Sequence, residues 1–128
     1  MVAAITNDIY VGIETFYQRE MSHPQHNEFV FAYRVTIRNE SPYTVQLVRR
    51  HWHIFDSCGE YREVAGEGVV GLQPVLKPND THIYVSGCHL ESDLGAMHGT
   101  YTLRREADDV EFTVNIPRFE LVATMRLS

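Results

Sequence analysis

Alternation of apolar and polar residues with a period of two constrains this chain more than any other feature. From Phe29 onward, Phe29, Phe31, Tyr33, Val35 and Ile37 fall on one side of an extended chain, and Val30, Ala32, Arg34, Thr36 and Arg38 on the other. Successive side chains of a strand point to opposite faces, so this segment reads as a half-buried strand whose first set faces the core. The same test selects Ile9-Val11-Ile13 before it, and Val48-Trp52-Ile54, Ile83-Val85, Tyr101-Leu103 and Val110-Phe112-Val114-Ile116 after it. Tyr61 to Val64 adds a further short strand.

Turn chemistry separates these segments. Asn39-Glu40-Ser41-Pro42, Ser57-Cys58-Gly59, Lys77-Pro78-Asn79-Asp80 and Ala107-Asp108-Asp109 are rich in the residues that favour turns, with Pro78 placed for a type I turn. No window carries a sustained helical stripe, which removes βαβ units and with them a parallel sheet. The expectation is an all-β, antiparallel two-sheet sandwich of the immunoglobulin or fibronectin type III kind, with a partly open barrel as the second choice. At 128 residues and 44% hydrophobic content, one domain over 1–128 is predicted, because two would each be too small to bury a core.

Two segments depart from the pattern. Gln18 to Asn27 is polar, broken by Pro24 and aperiodic, and predicts a mobile loop between the first two strands. In the strand around Trp52, Leu47 and Phe55 share a face with Arg49, His51 and His53, while Val48, Trp52 and Ile54 share the other with Arg50. Both faces are then partly apolar, which predicts that Phe119, Leu121 and Ala123, or another subunit, cover the outer one. Two-fold pairing of open sheet edges into a homodimer is compatible with this pattern.

Charge and composition narrow the partners. With 17 acidic against 11 basic residues the net charge is -6, and no basic run is longer than Arg49-Arg50 or Arg104-Arg105, which argues against a nucleic-acid partner. The first eight residues lack a basic region followed by an apolar stretch, and no apolar run is long enough to span a bilayer. A cytoplasmic protein without membrane insertion is expected. Cys58 and Cys88 have no C-x-x-C pairing, so two free thiols are expected in a reducing compartment.

The sharpest local motif is Gly66-Glu67-Gly68-Val69-Val70-Gly71, a literal G-x-G-x-x-G. In a dinucleotide-binding fold it would open a helix whose N-terminus faces pyrophosphate. Here Pro74 and Pro78 interrupt the stretch where that helix would run, and Glu67 adds a negative charge beside the phosphates. Two readings survive: glycines that permit positive φ in a long inter-strand loop, and an anion-binding concavity of backbone N–H groups assisted by Arg49, Arg50 or Arg62. This loop is also the candidate contact surface for a partner.

His51-x-His53 sends two imidazoles to one strand face, their Cα atoms about 6.5 to 7 Å apart. Two ligands do not make a metal site, and His82, His98 and Asp56 are the candidates to complete one. No metal, cofactor or catalytic residue is assigned on this basis. The chain has no G-x-S-x-G elbow and no H-E-x-x-H, and Cys88 and His89, as strand neighbours, point to opposite faces.

Phe31-Ala32-Tyr33-Arg34-Val35-Thr36-Ile37-Arg38-Asn39, Arg50-His51-Trp52, Gly66 to Pro74, Ser86-Gly87, Gly95-Ala96-Met97-His98-Gly99-Thr100-Tyr101 and Ile116-Pro117-Arg118-Phe119 together resemble the ApaG family, in order and over almost the whole chain. Pro78-Asn79-Asp80 stands in place of the family's usual Pro-Gly, and Ser92-Asp93-Leu94-Gly95 in place of a Thr-Pro turn. The resemblance implies a fibronectin-III-like sandwich without an established enzymatic activity. It also implies an association with cobalt and magnesium resistance or efflux, and reuse of the domain inside larger eukaryotic proteins. The function expected is a non-enzymatic protein-interaction module with an unidentified protein partner. The alternative is a nucleotide or pyrophosphate binder using the Gly66 to Gly71 loop.

Overall fold

The computed structural model describes residues 1–124, so the last four residues of the predicted domain lie outside the described residues. Among the described residues nine strands follow one another: β1 (Val2–Thr6), β2 (Ile9–Tyr17), β3 (Phe29–Asn39), β4 (Val45–Asp56), β5 (Glu60–Glu67), β6 (Val75–Leu76), β7 (Thr81–Leu90), β8 (Leu94–Arg105) and β9 (Glu111–Val122). One sheet has the order β1-β2-β3-β7 and the other β5-β4-β8-β9, with β6 beside the start of β4. Every pairing is antiparallel, and the two sheets face each other as a sandwich. Among the described residues the only helical pieces are two 3-10 turns, Arg19–Met21 and Pro24–His26.

The core follows from the alternation. Ile9, Val11 and Ile13 of β2 and Phe31, Tyr33, Val35 and Ile37 of β3 are buried against Trp52, Tyr101, Leu103, Val114 and Ile116 of the opposite sheet. Trp52 is the hub of an aromatic cluster: its ring meets Tyr33 at 5.4 Å, Phe119 at 5.9 Å and Tyr101 at 6.3 Å, each edge-on. Edge-on packing sets the positive rim of one ring against the negative face of the next.

Two bulges explain where the alternation misleads. In β4 the register against β8 shifts between Leu47 and Arg49, so Val45 and Leu47 are buried before the shift and Trp52, Ile54 and Asp56 after it. An extra residue in one strand turns every later side chain to the other face. The two-sided apolar character of β4 is therefore a change of phase. In β9 a second shift, opposite Met97 and Gly99, moves burial from Val114 and Ile116 to Phe119 and Leu121. Phe119, Leu121 and Ala123 consequently join the core instead of covering an outer face.

Other expectations are corrected locally. In β7 the core face carries Tyr84, Cys88 and Leu90, while Ile83 and Val85 point outward and are 57% exposed. Val110 precedes β9 and is exposed. Asn79 has φ +72, the positive third-position angle of a type II turn, so Lys77 to Asp80 is not type I. Asparagine tolerates this left-handed region better than most residues with a Cβ. The Gln18 to Asn27 segment is pinned: Ser22 is buried, donates to the Gln18 carbonyl and accepts from Val30 N–H.

Buried polar groups fasten the corners. Asn39 donates to the Tyr43 and Leu76 carbonyls and accepts from Ser41, so its amide is satisfied while fully buried. Asp56 accepts from Ser92, from Glu91 N–H and from Cys58 N–H. Burial pushes its carboxyl up, but these donors outweigh burial and hold it below its ordinary value.

The Tyr84 and Tyr101 hydroxyls bond to each other inside the core. Burial raises both phenols, and that of Tyr33, above the ordinary tyrosine value. The fold thus favours the neutral form, whereas tyrosines of the unfolded chain ionise near about pH 10. Stability should hold through neutral pH and fall as pH rises above about 10. Urea midpoints measured across that range check this, and the Tyr84→Phe/Tyr101→Phe double variant should flatten the decline.

Candidate functional site

The sandwich is sealed on one side and open on the other. On the β1/β9 side Asn115 N–H donates to Thr6 Oγ1 at 3.2 Å and Asn7 Nδ2 to the Thr113 carbonyl at 3.4 Å. On the opposite side the edge strands β5 and β7 are linked by Arg62, whose Nη2 donates to the His89 carbonyl at 2.6 Å. A cleft of ≈ 360 Å³ lies here, lined by Tyr33, Arg50, Arg62, Val64, Val70 and Cys88 among others.

The glycine motif forms the rim of this cleft. Gly68 N–H donates to the Val48 carbonyl at 2.8 Å, and Val69 and Leu72 exchange backbone hydrogen bonds of 2.8 and 3.0 Å. Between them Val70 (φ +47) and Gly71 (φ +76) make a two-residue hairpin turn of the type I′ kind. Gly68, at φ +63, is required twice over, because a Cβ there would also run into the Leu72 carbonyl. Val69 is buried as a core plug, whereas Val70 at the tip is 62% exposed.

No helix follows Gly71, as the two prolines demand; the chain returns through β6 alongside β4. The N–H groups of Gly68, Val69 and Leu72 all donate to protein carbonyls. Arg50 turns toward the loop's oxygens, donating to the Glu67 carbonyl at 2.8 Å and the Gly68 carbonyl at 3.0 Å. Gly66 sits against this same guanidinium.

Cys88 is buried at the cleft floor with Arg62 Nη2 at 3.7 Å, and burial pushes its thiol up despite that guanidinium. Cys58 is exposed, and both cysteines are free thiols. His89 is exposed on the face opposite Cys88, as strand alternation requires.

The histidine pair lies elsewhere, on the outer face of β4. His51 and His53 stack at 4.6 Å, and His98 of β8 stacks on His53 at 4.7 Å. Of the other candidate companions, His82 belongs to the opposite sheet and Asp56 faces the core. Glu63, which sequence reasoning missed, reaches both rings of the pair from β5. The signal was present: a hairpin at Ser57-Cys58-Gly59 pairs Asp56 with Glu60 and therefore His53 with Glu63.

Comparison with known proteins is consistent along the chain. The ApaG domain family model matches residues 19–105. Protein ApaG of Brucella abortus (strain S19) is 47% identical over 121 residues, covering 94% of this chain and 92% of its own length. Protein ApaG of Sinorhizobium fredii (strain NBRC 101917 / NGR234) is 46% identical over 122 residues. The crystal structure of the putative ApaA protein from Bordetella pertussis superposes with a TM-score of 0.88 at 39% identity, covering 93% of this chain and 96% of that one. The motifs, the sandwich and these full-length matches converge: the chain belongs to the ApaG family.

Proposed function

We propose that this protein is a non-enzymatic interaction module whose contact surface is centred on the Gly66 to Gly71 loop, and that its link to cobalt and magnesium tolerance runs through a protein partner. The observation that carries this reading is Val70. A β-branched residue at positive φ is strained by about 1–3 kcal/mol, and such strain persists chiefly at sites of function. Val70 is strained, apolar and exposed at the tip of a turn that Arg50 and Gly68 hold rigid. Folding alone would favour Asn-Gly in a type I′ turn.

Val70→Asn should therefore raise stability by about 1 kcal/mol while weakening capture of the partner. Thermal melts and crosslinking from a photoreactive residue at the neighbouring Leu72 measure the two effects. A variant that is more stable and binds as well as wild type would sink the reading.

The second reading, a nucleotide or pyrophosphate site at the same loop, has in its favour that Arg50 and Arg62 both line the cleft. Calorimetry with a dinucleoside polyphosphate separates the two, since the interaction reading expects no heat. A cytoplasmic location and a second copy of the chain paired along the exposed edge β5 are compatible with either. Among the described residues no helix is long and apolar enough to cross a membrane.

A further inference from the structure

Outside the cleft, the register of β4 against its neighbours gathers imidazoles and a carboxylate on one exposed face. Alternation along β4 sends His51 and His53 to the same side, and Glu63 is the direct cross-strand partner of His53 and diagonal to His51. Glu63 Oε1 lies 2.8 Å from His51 Nε2 and 3.5 Å from His53 Nδ1. The three ligand atoms are all within 4.8 Å of one another.

These distances approach those of a tetrahedral metal site. Metal–nitrogen and metal–oxygen bonds near 2.0–2.1 Å place neighbouring ligand atoms about 3.4 Å apart. The two edges of the triangle that involve Glu63 already bracket that value, and the imidazole nitrogens lie within 4.8 Å of each other. All three side chains are partly exposed, so rotation costs little packing, and the open side leaves room for water as the remaining ligand. The present partner of His53 Nδ1, the Tyr61 hydroxyl, is exposed and can be displaced.

We infer that His51, His53 and Glu63 form a surface site for a borderline divalent cation of the zinc class. Two imidazoles and one carboxylate are a donor set that suits zinc, whereas magnesium selects oxygen donors and keeps its water. Glu63 is held here by the two imidazoles, with no Arg or Lys among its described ion-pair partners, so the ion need not compete with a fixed cation. His98 stacks on His53 at 4.7 Å and is a neighbour of the site, not one of the three donors. This site stands independently of the glycine-loop reading, because its residues project from the outer face of the sheet.

The test is calorimetric titration of the full chain with zinc chloride, with magnesium chloride in parallel. One zinc per chain is expected, with no heat from magnesium. Loss of a residue that only supports a ligand weakens metal binding tenfold or more, so His51→Ala and Glu63→Gln should each weaken zinc by at least about tenfold. His23→Ala/His26→Ala, in the exposed turn segment, should bind as wild type does. Circular dichroism checks that the variants remain folded. Absence of stoichiometric zinc binding, or binding unchanged in His51→Ala/His53→Ala, would overturn the assignment.

Discussion

Gly68→Ala is expected to lower stability by about 3 kcal/mol, a fall in melting temperature on the order of 10 °C for a domain of this size. Left-handed backbone alone costs a residue with a Cβ about 1–2 kcal/mol. The remainder comes from the Leu72 carbonyl, which occupies the space the new methyl needs and is itself bonded to Val69 N–H. Gly71→Ala isolates the first contribution, because Gly71 has φ +76 but nothing near its missing Cβ. It should lose only about 1 kcal/mol. Thermal melts of the two variants side by side decide the matter, and equal losses would show that the turn opens freely and is not the rigid feature described above.

The second large effect is in the core. Trp52→Ala should cost about 3–5 kcal/mol, since it removes the ring on which Tyr33, Tyr101 and Phe119 all pack and leaves a void between the sheets. Set against a typical total of about 5–15 kcal/mol, that is enough to leave the protein partly unfolded in mild urea. Phe55→Ala is the informative control. Without the bulge at Leu47 to Arg49, Phe55 would share the core face with Leu47; with it, Phe55 is exposed and its loss should change stability by no more than about 0.5 kcal/mol. Urea midpoints that moved equally for the two variants would contradict the phase change in β4.

That phase change marks the limit of what alternation reveals. From Phe29 to Ile37 the five residues read as the core face are all buried, and the one departure is Val30, buried although it alternates to the other face. In β4 and β9 the pattern is the sum of two half-strands in opposite phase, and no local signal at Val48 or at Pro117-Arg118 states which residue is the extra one. β7 misleads for another reason: its core face is made of Tyr84, Ser86, Cys88 and Leu90, less uniformly apolar than the outward Ile83 and Val85. β1 was legible in principle, because Asn7-Asp8, both at positive φ, is good chemistry for a two-residue hairpin turn.

The candidate site was legible in part. The prolines after Gly71 exclude the phosphate-binding helix, and the chain indeed turns back there. What alternation and composition could not supply is that Val70, not a glycine, takes a left-handed position, or that Arg50 clasps the loop's carbonyls. Both depend on the path of β5 and β6 along the same side of β4.

The claim that a strained, exposed valine is kept for contact is tested most directly by the yield of partner adducts from a photoreactive group at Leu72, in the wild-type turn and with Val70→Asn. A discrete adduct that fades several-fold in the better-folded variant is the predicted result. Equal yields, or no adduct from either protein in its native cell extract, would contradict it.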